Sequence, residues 1–508
     1  MEENKYLQYV NHGTDKKSRI NCDKDNELNI KKRRRRHKRA RAGAFISLIV
    51  VLGAAGFGIY TLINAYMDGR INIEIPFLQA KDNLTSELEQ QEVVGTLEDL
   101  MGSEEEVVVL TPSQIEPELS EEDIYDAWLD EKIAAMPLED KVLGLFIVRP
   151  EQITGVDNVV QAGEGTKTAL EQYPVGGIVY SDSNIVSDDQ LKDMLRNTRE
   201  YSKYPIFLML REECGNTVLG SKLGLADTRT ASQIGATMDP YASYTDNKAI
   251  AEYLAAYGFD FQLGVVADVM RPFGSESGGD GESGAGSDNS TGNLQTIGDG
   301  LKPFMGDRSF GTDPVIVSRM VLEAVNAYRE NNVSCALGYF PGQGGLTADP
   351  STTITTTVDT ADDIYNLEYE IYRAGIEAGA AAVIVSHEYG DNLTGDNLPC
   401  SLSKDVYTGM LRERFSLADT VLITDCLDAA TISEYYTSSE VCVKALKAGA
   451  DMVMCPEDFE EGYSAVLEAV KSNVISEDRV NDSLKRVYRI KFRAQFEAEQ
   501  SLSENTGA

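Results

Sequence analysis

Histidine is scarce in this 508-residue chain, which holds three, His12, His37 and His387. The seven cysteines (Cys22, Cys214, Cys335, Cys400, Cys426, Cys442 and Cys455) form no CxxC pair, and no GxSxG occurs. These absences exclude a multi-histidine metal site, a zinc or thioredoxin-type cysteine pair, and a Ser/His/Asp hydrolase of the nucleophile-elbow kind. Several cysteines lie inside apolar runs ("VSCALGYF", "DMVMCP") and read as small buried hydrophobes, while a disulfide among the last six stays open. Basic charge is scarce too, except at one end. Residues 1 to 41 carry 14 Lys and Arg against 6 Asp and Glu, and the remainder carries 32 against 76.

Between the basic end and the acidic remainder lies "AGAFISLIVVLGAAGFGIYTLINAYM", residues 42 to 67, with no charged side chain. As a helix it is long enough to cross the hydrocarbon core, so the expectation is one transmembrane helix. The block Lys31 to Arg41 directly before it keeps the N-terminus cytoplasmic under the positive-inside bias and sends the acidic part outside. This predicts a single-pass cell-membrane protein with an extracellular C-terminal domain and a membrane-lipid partner. A cleaved signal peptide is the rival, but its charged and apolar regions would both be over-long, and "LINAYMDG" lacks a convincing cleavage site. Arg33 to Arg36 read as an orientation signal, so no nucleic acid is expected as partner.

Residues 68 to 120 are acidic with little periodicity, and read as a stalk. From Glu121 short apolar runs alternate with segments of helical period. The runs are "LGLFIV" (143 to 148), "VGGIVY" (175 to 180), "PIFLML" (205 to 210), "FQLGVVAD" (261 to 268), "SCALGYF" (334 to 340), "AAVIVSH" (381 to 387), "TVLITD" (420 to 425) and "DMVMC" (451 to 455). Segments such as "VSRMVLEAVNAYREN" and "KDVYTGMLRERF" separate them as amphipathic helices. Eight fully apolar strands separated by helices predict a (β/α)8 TIM-barrel-like domain over 121 to 497. An open doubly wound sheet is the alternative, but "VRPEQITG" in the first strand-to-helix turn is no phosphate loop. The Gly/Ser/Asp-rich stretch 273 to 293 reads as a flexible insertion and 498 to 508 as a disordered tail.

In such a barrel the active site lies at the C-terminal strand ends. The residues there are Arg149, Asp182, Arg211 with Glu212, Asp268, the "FPGQGG" loop, His387, Asp425 and Glu457. Carboxylates dominate, which fits cleavage of a glycosidic bond by a nucleophile and a proton donor. Taken singly, any of them also reads as a capping or ion-paired residue. No metal and no organic cofactor is implied.

Several stretches together resemble glycoside hydrolase family 3, specifically the bacterial β-N-acetylhexosaminidases built from the barrel domain alone. "IAAMPLEDKVLGLFIV" resembles the family's opening helix and strand, and "GFDFQLGVVADV" is similar to G-x-N-x-N-x-A-P-V-x-D-V. "GDRSFGTDP" matches G-x-R-S-F-G-x-D-P, "LPCSLSKDVYTGMLRERF" the P-A-S-L-S segment, and "VLITDCL" the V-x-x-T-D-x-L strand. The resemblance covers roughly residues 125 to 495. It implies that Asp425 is the nucleophile, that Arg308 binds the N-acetylglucosamine unit, and that His387 lies close to the pocket. Glu212 and Asp268 are carried with them as substrate-binding candidates.

The family's loop pattern K-H-F-P-G-H-G-D-T-x-x-D-S-H is only partly kept. Gly338 and Tyr339 replace Lys-His, Gln343 replaces the next histidine, and Asp349 remains from the acid/base dyad while Ser351 stands in place of its histidine. A serine hydroxyl is no neutral-pH proton shuttle. Arg211 replaces an aspartate that accepts hydrogen bonds from sugar hydroxyls. The sequence therefore supports two functions. One is a glycosidase acting on N-acetylglucosamine-containing glycans such as cell-wall fragments; the other is a catalytically inactive relative that binds a glycan or a partner.

Overall fold

The computed structural model describes residues 120–271 and 302–506. The basic tail, the apolar span over 42 to 67, the stalk to residue 119 and the 273 to 293 insertion lie outside the described residues.

Eight parallel strands close into a barrel in chain order. They are β1 (Phe146–Val148), β2 (Gly177–Val179), β3 (Phe207–Leu210), β4 (Phe261–Val266), β5 (Ser334–Phe340), β6 (Ala382–Val385), β7 (Val421–Cys426) and β8 (Met452–Met454). Ile147 closes the ring, facing Gly177 on one side and Met454 on the other. Each strand lies on one of the eight apolar runs, β7 extending one residue past its run to Cys426, and nearly every strand residue is buried. Strands covered by helices outside and by packed side chains inside have no polar face to show, which is why the runs are continuous rather than alternating.

The helices between them are set by local chemistry. Pro240–Tyr257 opens with Asp239, whose carboxylate accepts from the Tyr241 N–H, and with Pro at its first position; it stops at Gly258 in a left-handed conformation. Pro314–Glu330 repeats the Asp-Pro start and buries Val317, Met320, Val321, Val325 and Tyr328 against the barrel. The expected helix in "KDVYTGMLRERF" forms as a wide π-type helix, Asp405–Arg414, with Val406, Tyr407, Met410 and Leu411 inward.

The two barrel ends differ in what their carboxylates do. Asp451, just before β8, is fully buried and accepts from Arg412, Arg486, the Leu422 N–H and the Ser483 hydroxyl. This saturated network sits at the N-terminal end of the strands, the face of a barrel that serves stability.

Two expectations are corrected. Residues 498 to 506, read as disordered, continue the helix Arg493–Thr506, because Phe496 packs on Tyr125 and Trp128, and Glu499 accepts from the Trp128 indole at 3.0 Å. The single-pass cell-membrane localisation is not sustained: among the described residues no helix is long and apolar enough to cross a membrane. The described helices are amphipathic layers on a barrel, each with one apolar stripe rather than an apolar circumference.

Candidate functional site

A cavity of about 530 Å³ opens where β3, β5 and β7 end, a size suited to a small ligand. From β3 come Arg211 and Glu213, from β5 Tyr339, from β7 Asp425 and Cys426, and from the loops Arg308, Gln343, Asp349, Ser351 and Asp428.

The loop after β5 keeps its shape through backbone packing. A side chain on Gly344 would meet the Val269 carbonyl oxygen at 1.8 Å, and Gly342 (φ +124°) faces the Glu368 carboxylate. Nothing larger than glycine fits beneath this turn. The loop therefore carries Gln343 to the cavity wall, where its amide donates to the Ser386 hydroxyl at 3.0 Å.

Asp425 is held on one side. Its Oδ1 accepts from the Arg211 guanidinium at 2.8 Å and from the Cys426 N–H at 2.9 Å. Burial works to raise its pKa, but the Arg211 guanidinium and the Cys426 N–H outweigh burial and hold the carboxyl below the usual carboxylate range. A second pair faces it. Arg308 grips Glu213 in a fork, Nε to Oε2 at 2.6 Å and Nη2 to Oε1 at 2.7 Å, and the Tyr339 hydroxyl donates to the same Oε1 at 3.0 Å. Burial opposes ionisation of Glu213, yet Arg308, Arg211 and Tyr339 bring its pKa down. The Tyr339 ring lies between the two guanidiniums, 5.2 Å from Arg211 and 5.4 Å from Arg308.

Asp349 and Ser351 remain together at the cavity. The Asp349 Oδ1 accepts from the Ser351 N–H at 2.8 Å and from its hydroxyl at 2.7 Å. Asp428, also at the cavity, is paired with Arg149.

Three expected binding residues stand behind the cavity wall. Glu212 turns the opposite way from Arg211 and Glu213 and accepts from the Val218 and Leu219 N–H groups at 2.8 and 2.5 Å; burial pushes its pKa to about 7. Asp268 is fully buried, accepts from the Tyr339 N–H at 2.9 Å, and is pushed by burial to about 7. His387 has both ring nitrogens engaged: Nε2–H donates to the Cys426 carbonyl, and Nδ1 therefore accepts from the Ser401 hydroxyl, each at 2.8 Å. Burial lowers its pKa, which keeps the ring neutral. Glu388, the next residue, is likewise buried, its Oε2 accepting from the Ser386 hydroxyl at 3.3 Å.

Of the adjacent pair Glu212 and Glu213, the sequence reading carried Glu212 as the binding candidate, and the structure places Glu213 at the cavity instead. The signal was present: in an extended chain Glu213 shares a face with Arg211, whereas Glu212 does not. The cavity thus holds two carboxylates, Asp425 and Glu213, that their arginine partners favour in the ionised form. Among the carboxyl groups that burial pushes toward neutrality, Glu212 and Asp268 stand behind the cavity wall. Among the described residues, no cluster of three or more His, Cys, Asp or Glu side chains is placed to hold a metal ion.

Comparison with known proteins agrees with this architecture. Residues 298–490 match the model of the Glycosyl hydrolase family 3 N terminal domain. The beta-hexosaminidase A of Pseudoalteromonas piscicida is 22% identical over 351 residues, covering 63% of this chain and 54% of that protein, so the match spans about half the relative's length. The beta-hexosaminidase of Hydrogenovibrio crunogenus is 27% identical over 292 residues, covering 56% of this chain and 72% of that protein. The solved family 3 β-N-acetylglucosaminidase from Paenibacillus sp. str. FPU-7 superposes with a TM-score of 0.60 at 26% identity, covering 71% of this chain and 63% of that one.

Proposed function

We propose that this chain, which belongs to glycoside hydrolase family 3, is a β-N-acetylhexosaminidase-type glycosidase in which Asp425 is the nucleophile and the proton donor has been weakened. The observation that carries the reading is the one-sided restraint of Asp425. Arg211 and the Cys426 N–H both bind Oδ1, and Oδ2 accepts no hydrogen bond from the described residues, in a carboxylate that lines the cavity. Oδ2 attacks the anomeric carbon, the aglycone oxygen departs with the bonding electrons, and water then hydrolyses the glycosyl ester. Because Asp349 is partnered by Ser351 rather than an imidazole, a departing alkoxide finds no efficient acid, at a cost of roughly 10²- to 10⁴-fold in rate. Aryl glycosides whose leaving groups need no proton escape that cost. The fitting substrate class is an N-acetylglucosamine-containing glycan.

A second reading is favoured by the closure of the ion pairs. Arg211 with Asp425 and Arg308 with Glu213 satisfy one another, so a cavity that binds a saccharide without cleaving it is the competing function.

The test is turnover of an activated aryl N-acetyl-β-glucosaminide by the full chain and by its Asp425→Asn variant, with calorimetric binding of N-acetylglucosamine oligosaccharides to both. Turnover lost in the variant supports the glycosidase. Saccharide binding with equal background turnover in both supports the second reading. Neither binding nor turnover refutes both.

A further inference from the structure

The charged groups of the cavity are largely spent on one another: Arg211 on Asp425, Arg308 on Glu213, Arg149 on Asp428. The amide of Gln343 is spent on one side only. Gln343 opens the single 3-10 turn Gln343–Gly345 after β5, lines the cavity and is 3% exposed. The turn leaves it little freedom, because the Arg271 N–H donates to the Gly344 carbonyl and the Leu346 N–H to the Gln343 carbonyl, each at 3.0 Å.

The direction of the side chain follows from what lies behind it. Its Nε2 donates to Ser386 Oγ at 3.0 Å; that hydroxyl donates to Glu388 Oε2 at 3.3 Å and accepts a second, longer bond from the Glu388 N–H at 3.4 Å. Ser386 and Glu388 are both fully buried. A hydroxyl has one hydrogen and two lone pairs, and here all are used. Oxygen and nitrogen of a side-chain amide are told apart by their partners, so Gln343 must turn its NH2 to Ser386 and its carbonyl away. Its Oε1 accepts no hydrogen bond from the described residues and is not sealed off by them. An acceptor of this kind, on a nearly buried side chain in a cavity wall, calls for a donor supplied from the cavity.

We propose that Gln343 determines specificity for the saccharide: its Oε1, held toward the cavity by Ser386 and Glu388, accepts a hydrogen bond from a ring hydroxyl or from the acetamido N–H of the bound sugar. Solvent satisfies this oxygen in the free protein, and a ligand that displaces solvent must bring a donor of its own. A sugar lacking that donor leaves the oxygen unmet and binds more weakly. The inference rests on the saccharide reading of the cavity, in either its hydrolytic or its binding form.

The experiment is an NMR titration of the full chain and its Gln343→Met variant with methyl N-acetyl-β-glucosaminide, with its monodeoxy analogues, each lacking one ring hydroxyl, and with the analogue carrying hydrogen in place of the acetamido group. The variant keeps the length of the side chain and loses the amide. It is expected to bind the parent sugar roughly 3- to 10-fold more weakly, the range of one neutral hydrogen bond. One analogue is expected to lose a like factor against the wild type and nothing further against the variant, and which analogue does so tells a hydroxyl from the acetamido N–H. A residue that only shapes the loop would weaken every sugar alike. Ser386→Ala, which frees the amide without replacing it, is expected to narrow the same discrimination, and it carries the test should Gln343→Met not fold. Equal affinity for the parent sugar in wild type and Gln343→Met, or discrimination among the analogues unchanged in either variant, overturns the proposal while leaving the saccharide reading in place. A wild-type chain that binds none of the sugars refutes that reading and this inference with it.

Discussion

Replacing Arg211 with methionine tests how far the cavity is held together by its own charges. The substitution keeps the length and apolar character of the stem and removes the guanidinium that donates to Asp425 at 2.8 Å. A charge-assisted hydrogen bond contributes about 1.5–3 kcal/mol net, and losing the stack on Tyr339 adds about 0.5 kcal/mol. The Arg211 side chain is 35% exposed, so solvent screening lowers the first figure, and about 2 kcal/mol of destabilisation is expected at pH 7. For a unit of about 390 residues, 116 to 508, that amounts to a fall of roughly 2–3 °C in Tm.

The pH dependence follows from the depressed pKa of Asp425. A carboxyl whose folded pKa lies below its ordinary 3.8 stabilises fully above that value, and the gain is lost as pH falls through the folded pKa. The difference between wild type and Arg211→Met is therefore constant from pH 7 to 5 and shrinks below about pH 4. Urea unfolding of both chains at pH 7, 5 and 3.5 reads it directly. A difference under about 0.5 kcal/mol at pH 7, or one that survives acidification unchanged, refutes the reasoning.

Ser351→His places an imidazole against the Asp349 oxygen that now receives the serine hydroxyl. Turnover of glycosides with poor leaving groups is expected to rise about 10²-fold, with little change for activated aryl glycosides; an equal rise for both would rule out proton donation as the cause. Asp268→Asn probes the buried carboxyl pushed to about 7 from an ordinary 3.8. The folded state keeps a proton there that the unfolded chain releases, so wild-type stability falls as pH rises from about 4 to 7, by on the order of 2–4 kcal/mol. Asparagine does not ionise and its carbonyl still accepts the Tyr339 N–H, so a flatter stability profile between pH 5 and 8 is expected from denaturant titration.

The barrel was legible because burial on both faces makes each strand a continuous apolar run. All eight strands lie on the runs that the sequence offers, with β7 running one residue further to Cys426, and the Asp-Pro and Ser/Thr caps mark most helix starts. The C-terminal tail was misread because composition there is polar, while the contacts that order it, Phe496 on Tyr125 and Glu499 on Trp128, come from the far end of the domain. The site was legible as a list of strand ends but not as a set of partners. Alternation after β3 puts Glu212 and Glu213 on opposite faces, but only the fold shows that one meets the Val218 and Leu219 N–H groups and the other Arg308.

By itself the sequence determined the order of strands, the loop glycines and the arginine at position 211, since each is a local property of residue type and spacing. The tertiary structure decided what the charges do. Arg211 neutralises Asp425 because β3 and β7 deliver them to one cavity, and Asp268 and Glu212 are pushed toward neutrality because packing excludes water from them. Ionisation and partnership depend on what lies within a few ångströms in space, and distances between residues 214 positions apart, as Arg211 and Asp425 are, exist only once the barrel has closed.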